Sequence, residues 1–271
     1  MSKVIDIMTP NPVTVSEDTI ATKVRSILRD GDFRAVPVVN GTRLEGMITR
    51  GDIINISANK SDVDAHGIMS HISIGITENM DINEAAKKLI NADEVQTPVT
   101  KSSDDMRLVG IISIVDILKK FVDDDFNPKY KKLENILTKD VITCNYDDLI
   151  SKVWNKMDDT GFSGIPVIKK KKLIGIITRK DIINSGHARI VKEADDAKGS
   201  TKVESIMRTP PIVATSDKEV KEAAKIMVEN DIGRLPVVEH PVYIKKEPIR
   251  AKESDLIGIV SREDLLRAYL N

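Results

Sequence analysis

The chain has little to stack, little to oxidise and no excess of either charge. Aromatic residues are 3% of the sequence, with one Trp, and Cys144 is the single cysteine. So few rings leave little platform for the bases of a single-stranded nucleic acid. A lone cysteine can make neither an internal disulfide nor a thiol cluster for a metal, which points to a reducing interior. Basic residues number 41 against 42 acidic, a net charge of −1, so no broad polyanion-binding surface is expected and nucleic acid is an unfavoured partner. No stretch approaches the roughly 18 uninterrupted apolar residues of a membrane span. Met1-Ser2-Lys3-Val4-Ile5-Asp6 lacks an apolar signal core. A cytoplasmic setting without membrane contact is the expectation. His66, His71, His187 and His240 have no Cys or carboxylate partner at ligand spacing, so no metal site is expected.

What the chain does have is one pattern written four times. A Met or Leu is followed 29 positions later by a Pro in an apolar run, at Met8/Pro37, Met69/Pro98, Leu137/Pro166 and Met207/Pro236. Each Pro is followed by a Gly and, six residues on, an Asp: Gly46/Asp52, Gly110/Asp116, Gly175/Asp181 and Gly258/Asp264. Fixed intervals with freely varying residues between them mark a repeated structural unit.

Each unit reads as strand, helix, two hairpin strands, helix, an α/β (α+β) composition. In the first, Val13-Thr14-Val15 is β-rich. Ile20, Val24, Ile27 and Leu28 then fall at helical spacing, with Ser16 or Asp18 available as a cap. Phe33 to Val39 and Leu44 to Ile48 read as strands joined at Asn40-Gly41. In the fourth, Ser216 with Glu219 has the spacing of a capping box ahead of Val220, Ala223, Ala224, Met227 and Val228. In the third, Lys169 to Lys172 reads as a hairpin turn. Sixty residues with so short a sheet cannot cover both faces, so neighbouring units must pack in pairs. The expected repeats are 1–57, 62–122, 130–186 and 200–271, grouped as 1–125 and 129–271 across the polar break Asp123 to Lys129. Residues 185–202 read as a linker with some helical potential, and 239–255 as an enlarged hairpin loop in the fourth repeat.

The last helix of each unit opens on Thr49-Arg50-Gly51-Asp52, Ser113-Ile114-Val115-Asp116, Thr178-Arg179-Lys180-Asp181 or Ser261-Arg262-Glu263-Asp264. A helix-capping box accounts for such a tetrapeptide, and for any single copy it is the simpler reading. Yet the acid is Asp each time, where the box ordinarily uses the longer Glu or Gln. An invariant short carboxylate suits the vicinal hydroxyls of a ribose, and the adjoining helix N-terminus suits a phosphate. Ribose with phosphate means a nucleotide.

Ile7-Met8-Thr9-Pro10, the run Phe33-Arg34-Ala35-Val36-Pro37-Val38-Val39 and Gly46-Met47-Ile48-Thr49-Arg50-Gly51-Asp52 resemble a cystathionine-β-synthase (CBS) domain, and the resemblance recurs over nearly the whole chain. Four such repeats resemble the gamma regulatory subunit of AMP-activated protein kinase and stand-alone microbial CBS proteins. The resemblance implies two pseudo-twofold tandem pairs with adenosine ligands in clefts between paired repeats. It assigns ribose and adenine contacts to Asp52, Thr49 and Met47; to Asp116, Ser113 and Ile111; to Asp181, Thr178 and Ile176; and to Asp264, Ser261 and Ile259. Opposing walls would come from Pro12-Val13, Ile74-Gly75, Val141-Ile142 and Ile212-Val213. Phosphate would meet Arg34, Arg50, Arg179, Lys180, Arg234 and Arg262. Repeat 2 carries no Arg in its motif, so its Asp116 site is expected to be the one left empty or to favour an uncharged adenosine moiety, and repeats 3 and 4 to take phosphate first.

The implied function is a non-enzymatic sensor of AMP, ADP or ATP that signals to an unidentified protein partner, with S-adenosylmethionine as an alternative ligand and a structural or nucleic-acid scaffold as a rival class. The repeats offer no general base beside a nucleophile, so catalysis is not expected, and no cofactor is expected beyond the regulatory ligand. A homodimer is a further expectation.

Overall fold

The computed structural model describes residues 2–54, 62–185 and 201–270. Most of the expected linker 185–202, residues 186–200 with His187 among them, lies outside the described residues. The chain divides into two compact units, Met1–Phe126 with Tyr269–Asn271, and Asn127–Ala268.

In the first unit, repeat 1 runs β1 (Thr9–Pro10), β2 (Val15–Ser16), α1 (Ala21–Asp30), β3 (Ala35–Asn40), β4 (Arg43–Thr49) and α2 (Arg50–Ile54). Repeat 2 runs β5 (Ile76–Thr77), α3 (Ile82–Asn91), β6 (Gln96–Thr100), β7 (Leu108–Ser113) and α4 (Ile114–Asp123). Their sheets have the orders β2-β3-β4 and β1-β7-β6-β5. β2 is parallel to β3 and β5 to β6, while β3–β4 and β6–β7 form the antiparallel hairpins; β1 pairs antiparallel with β7 of the other repeat.

The second unit repeats the plan with β8 (Cys144–Asn145), α5 (Ile150–Thr160), β9 (Gly164–Lys169), β10 (Lys172–Thr178) and α6 (Arg179–Asn184). Its second repeat has α7 (Val220–Glu229), β11 (Arg234–Glu239), β12 (Tyr243–Ile244), β13 (Glu247–Ala251), β14 (Asp255–Ser261) and α8 (Arg262–Tyr269). The opening strand of repeat 4 shrinks to one parallel bridge between Ala214 and Val237.

Apolar periodicity placed the helices correctly. Val220, Ala223, Ala224 and Met227 are buried on α7, and Ile150, Val153, Trp154 and Met157 on α5. The expected caps differ. Neither Ser16 nor Asp18 caps α1, whose N-cap is Ile20, and the Ser216/Glu219 box does not form, because Glu219 itself is the N-cap of α7 and makes no side-chain cap. The first N–H of every first helix donates to a carbonyl of the paired repeat, Ala21 to Val63, Ile82 to Ser2, Ile150 to Thr201 and Val220 to Lys131, and of the four only α3 adds a side-chain cap, from Asp81. A backbone partner does the work of the side chain and locks the pair together. The hairpin of repeat 1 turns on Gly41-Thr42 rather than Asn40-Gly41, since Asn40 pairs with Arg43 and Gly41 adopts φ +63°. In repeat 3 the turn falls as expected, on Lys170-Lys171 between paired Lys169 and Lys172.

The repeat landmarks meet across each pair. A β-bulge precedes the shared glycine in every hairpin, skipping Glu45, Val109, Ile174 or Ile257. A Cβ on Gly46 would meet Met69, on Gly110 Met8, on Gly175 Met207 and on Gly258 Leu137. The glycine of one repeat is therefore the seat for the Met or Leu of its partner. Ala65, Ile68 and Met69 of repeat 2 accordingly pack into the core of repeat 1 around Val24, Val36, Val38 and Ile48.

The segment expected as an enlarged loop in repeat 4 has its own structure. β12 and β13 form a hairpin, and the N–H of Val213 donates to the carbonyl of Ile249 while that of Ala251 donates to Pro211.

Candidate clefts between paired repeats

Each shared tetrapeptide closes a capping box. Asp116 Oδ2 accepts from the Ser113 backbone N–H at 2.8 Å and from its hydroxyl at 2.7 Å. The same two bonds occur at Thr49/Asp52 (2.7 and 2.7 Å), Thr178/Asp181 (2.9 and 2.5 Å) and Ser261/Asp264 (2.8 and 2.7 Å). The short carboxylate thus does reach the cap N–H, against the expectation from its length. It uses one oxygen for this. Among the described residues, Oδ1 of Asp52 and of Asp116 accepts no hydrogen bond, whereas Oδ1 of Asp181 accepts from Nε of Arg208 at 2.7 Å. Oδ1 of Asp264 faces Arg267 Nη1 at 3.6 Å.

Pairing decides which residues share a cleft. Met47 bridges Ser70, Ile111 pairs with Thr9, Ile176 bridges Arg208 and Ile259 bridges Thr138. Asp52, Thr49 and Met47 therefore stand beside the segment leading to Ile74-Gly75, and Asp116, Ser113 and Ile111 beside the one leading to Pro12-Val13. In the second unit, Asp181, Thr178 and Ile176 stand beside the segment of Ile212-Val213, and Asp264, Ser261 and Ile259 beside that of Val141-Ile142. Every cleft draws its carboxylate from one repeat and its facing wall from the other.

The walls are unequally open. Val13 is 48% exposed, while Ile212 and Val213 are 7% and 1% exposed. The difference comes from β13, which covers the second of these walls: Val213 and Ala251 share a small core with Leu173 and Val238. Arg208 on its carboxylate and β13 on its wall leave the Asp181 cleft the more closed of the two in its unit.

The basic residues divide. Arg50 Nη2 binds Asp32 Oδ1 at 2.7 Å, and Arg262 Nη2, only 4% exposed at its side chain, binds Asp231 Oδ1 at 2.7 Å. Arg179 Nη2 donates to the Met157 carbonyl at 2.7 Å, with its guanidinium carbon 5.8 Å from the Trp154 ring centre. Arg50 and Arg262 tie the last helix of a repeat to the turn after its first helix, and Arg179 ties α6 to the last turn of α5. Lys180 is half-buried in the first turn of α6. Arg34 and Arg234 are not equivalent: the Arg34 carbonyl accepts from the Arg50 N–H just before β3 begins, while Arg234 is the first paired residue of β11, opposite Ser261. The guanidinium of Arg234 stacks on the Phe162 ring at 4.3 Å. Arg34 contributes its charge to Asp116 in the other repeat. Burial pushes the Asp116 carboxyl up, and the Ser113 bonds and the charges of Lys119 and Arg34 oppose that rise. Reading repeat 2 by itself missed this base, because it sits in repeat 1.

A groove of about 790 Å³ lies between Thr143 and the outer face of α5, lined by Lys152, Asn155, Lys156 and Asp159; Ile142 is its one candidate residue, and it holds none of the four carboxylates. Among the described residues no cluster of His, Cys, Asp or Glu could hold a metal ion, and no helix is long and apolar enough to cross a membrane.

Four strand-helix-hairpin-helix repeats, interlocked in pairs with a helix-opening carboxylate in each cleft, define a tandem regulatory-repeat protein. The chain belongs to the CBS domain family, whose model matches residues 4–59, 63–123, 133–187 and 203–271. It is 28% identical to the uncharacterized protein MJ1225 of Methanocaldococcus jannaschii over 95% of each chain. The crystal structure of MJ1225, described there as a proposed archaeal homologue of γ-AMPK, aligns with TM-score 0.80 and 26% identity over 98% of this chain and 99% of that one. A conserved protein of Pyrococcus horikoshii shares the fold at TM-score 0.67 and 23% identity, over 99% and 100% of the two chains.

Proposed function

We propose that this protein is a non-enzymatic adenine-nucleotide sensor, binding AMP, ADP or ATP between paired repeats and passing the state to a protein partner. The observation that carries this reading is the division of labour within Asp116. One oxygen holds the helix cap while the other accepts no hydrogen bond from the described residues, beside an exposed Val13 and within the field of Arg34. A ribose diol needs such an acceptor, an adenine needs an apolar wall and a 5′ phosphate needs a fixed cation. Asp116, Ser113, Ile111, Val13 and Arg34 form the cleft expected to fill first. Asp264, Ser261, Ile259, Val141 and Ile142 come next, and the Asp181 cleft last. The likeness to MJ1225, described as a proposed γ-AMPK homologue, supports the ligand class. A ligand can then shift the packing of a pair only by its preference for one arrangement over another.

Calorimetric titration of nucleotide-stripped protein with AMP, ADP, ATP and S-adenosylmethionine tests the reading. Micromolar binding of a nucleotide that is lost in Asp116→Asn supports it. Absence of binding by all four removes it and leaves the carboxylates as helix caps.

A further inference from the structure

The two clefts of the first unit are built alike but charged oppositely. Four residues before the shared Pro the repeats carry Phe33, Glu94, Phe162 and Ile232, so repeat 2 alone places an acid there. Glu94 is half-buried just ahead of β6, which lies against β4 of repeat 1, the strand that ends at Thr49. Its Oε1 accepts from the Ser73 hydroxyl at 3.2 Å. Ser73 stands three residues beyond Ser70, whose backbone bridges Met47, so this bond holds the carboxylate to the segment that runs past Met47, within the field of Asp52. The next residue is Val95, where repeat 1 has Arg34. Asp116 thus lies in the field of an arginine, and Asp52 in that of a glutamate.

Resting on the nucleotide reading above, we infer that Glu94 sets the specificity of the Asp52 cleft, excluding a 5′ phosphate and selecting an adenosyl ligand with a positively charged 5′ substituent. A ribose held by Asp52 directs its 5′ group at the rest of the cleft, and the second carboxylate there repels an anion and attracts a cation. Burial pushes the Glu94 carboxyl up, and the nearby charges of Asp93 and Asp52 push the same way against the Ser73 bond. A cationic ligand relieves that strain. Like charges about 5 Å apart at an effective dielectric near 20 interact strongly enough to change affinity by a factor of ten or more.

The test titrates the full chain with AMP and with 5′-amino-5′-deoxyadenosine, in the wild type and in Glu94→Gln, Asp52→Asn and Asp116→Asn. Gln keeps an acceptor for Ser73 and Asn keeps one for the cap, so folding is checked by circular dichroism in each. The amine is expected to bind the wild type at a site lost in Asp52→Asn, and about tenfold more weakly in Glu94→Gln. AMP is expected to gain a second, Asp52-dependent site in Glu94→Gln. Amine binding unchanged by Glu94→Gln, or an Asp52-dependent AMP site already present in the wild type, overturns the inference while AMP bound at Asp116 leaves the sensor reading standing. If neither compound binds any folded variant, both fall.

Discussion

Nε of Arg208 lies 2.7 Å from Oδ1 of Asp181, joining the leading segment of repeat 4 to the helix-opening carboxylate of repeat 3. A ligand that needs this oxygen must displace the guanidinium. Arg208 is half exposed, so its loss should release only a modest fraction of a kcal/mol. Arg208→Ala is therefore expected to tighten adenosine binding in the Asp181 cleft by about two- to fivefold. Calorimetry against an Asp181→Asn control checks the gain, and weaker binding instead would make Arg208 a ligand contact.

Gly110 is the seat of Met8. A Cβ there would stand 2.5 Å from Met8 Sδ and 3.0 Å from the Thr9 carbonyl oxygen. The thioether can swing away, but the carbonyl belongs to the strand pairing of Thr9 with Ile111. Gly110→Ala should cost about 1–3 kcal/mol. The midpoint of urea unfolding reads this, and a loss that vanishes in Met8→Ala/Gly110→Ala would assign it to the side chain alone.

Asp116 has a pH signature. Its folded carboxyl lies above its unfolded value of 3.8 because burial disfavours the charge. Below both values it is protonated in either state. As pH rises past 3.8 the unfolded chain ionises first, so this group's contribution to stability falls until the folded carboxyl has ionised too. Asp116→Asn should remove that fall, raising the unfolding midpoint at pH 7 relative to that at pH 4 when compared with the wild type. Ser113→Ala, which removes a bond that favours the ionised carboxyl, should deepen the fall while costing about 1 kcal/mol.

Cys144 is 3% exposed, with its thiol pushed up to about 12 by burial and then by Asp148. The thiolate is the reactive form, so an aromatic disulfide reagent at pH 8 should not label the native protein within hours and should label it at once in denaturant. Prompt native labelling would mean that the β8 edge opens. Because the unfolded thiol ionises near 9 and the folded one does not, stability should also decline above pH 9.

Lys170 and Lys171 both have positive φ, 49° and 68°, at the β9–β10 turn. Side chains pay a steric cost there that Asn and Gly avoid. Lys170→Asn/Lys171→Gly should raise stability by about 1 kcal/mol, read from the thermal midpoint, with no change in ligand affinity.

The helices and hairpins were legible because their signals are local. Val24 and Leu28 recur at helical spacing on α1, and Pro37 and Gly46 stand in the two strands of one hairpin. The caps were not legible. Nothing near Val220 announces that its N–H will meet the Lys131 carbonyl, and Ser216/Glu219 offered a plausible local substitute. Arg50, Arg179 and Arg262 share a motif with the cleft carboxylates, yet a helix turns its first residue away from its third, and each arginine reaches back to the end of its repeat's first helix or the turn after it.

By itself the sequence determined the fourfold repeat, the order of elements in each copy, the buried face of each first helix and the identity of the four carboxylates. These follow from spacing along one chain, where periodicity of 3.6 or 2 residues is imposed by the backbone. Only the tertiary structure decided that the Arg34 charge acts on Asp116 and the Asp52 charge on Glu94, that Arg208 binds Asp181 and that β13 covers Val213. Those relations join residues from different repeats, and electrostatic fields act through space regardless of separation in the chain.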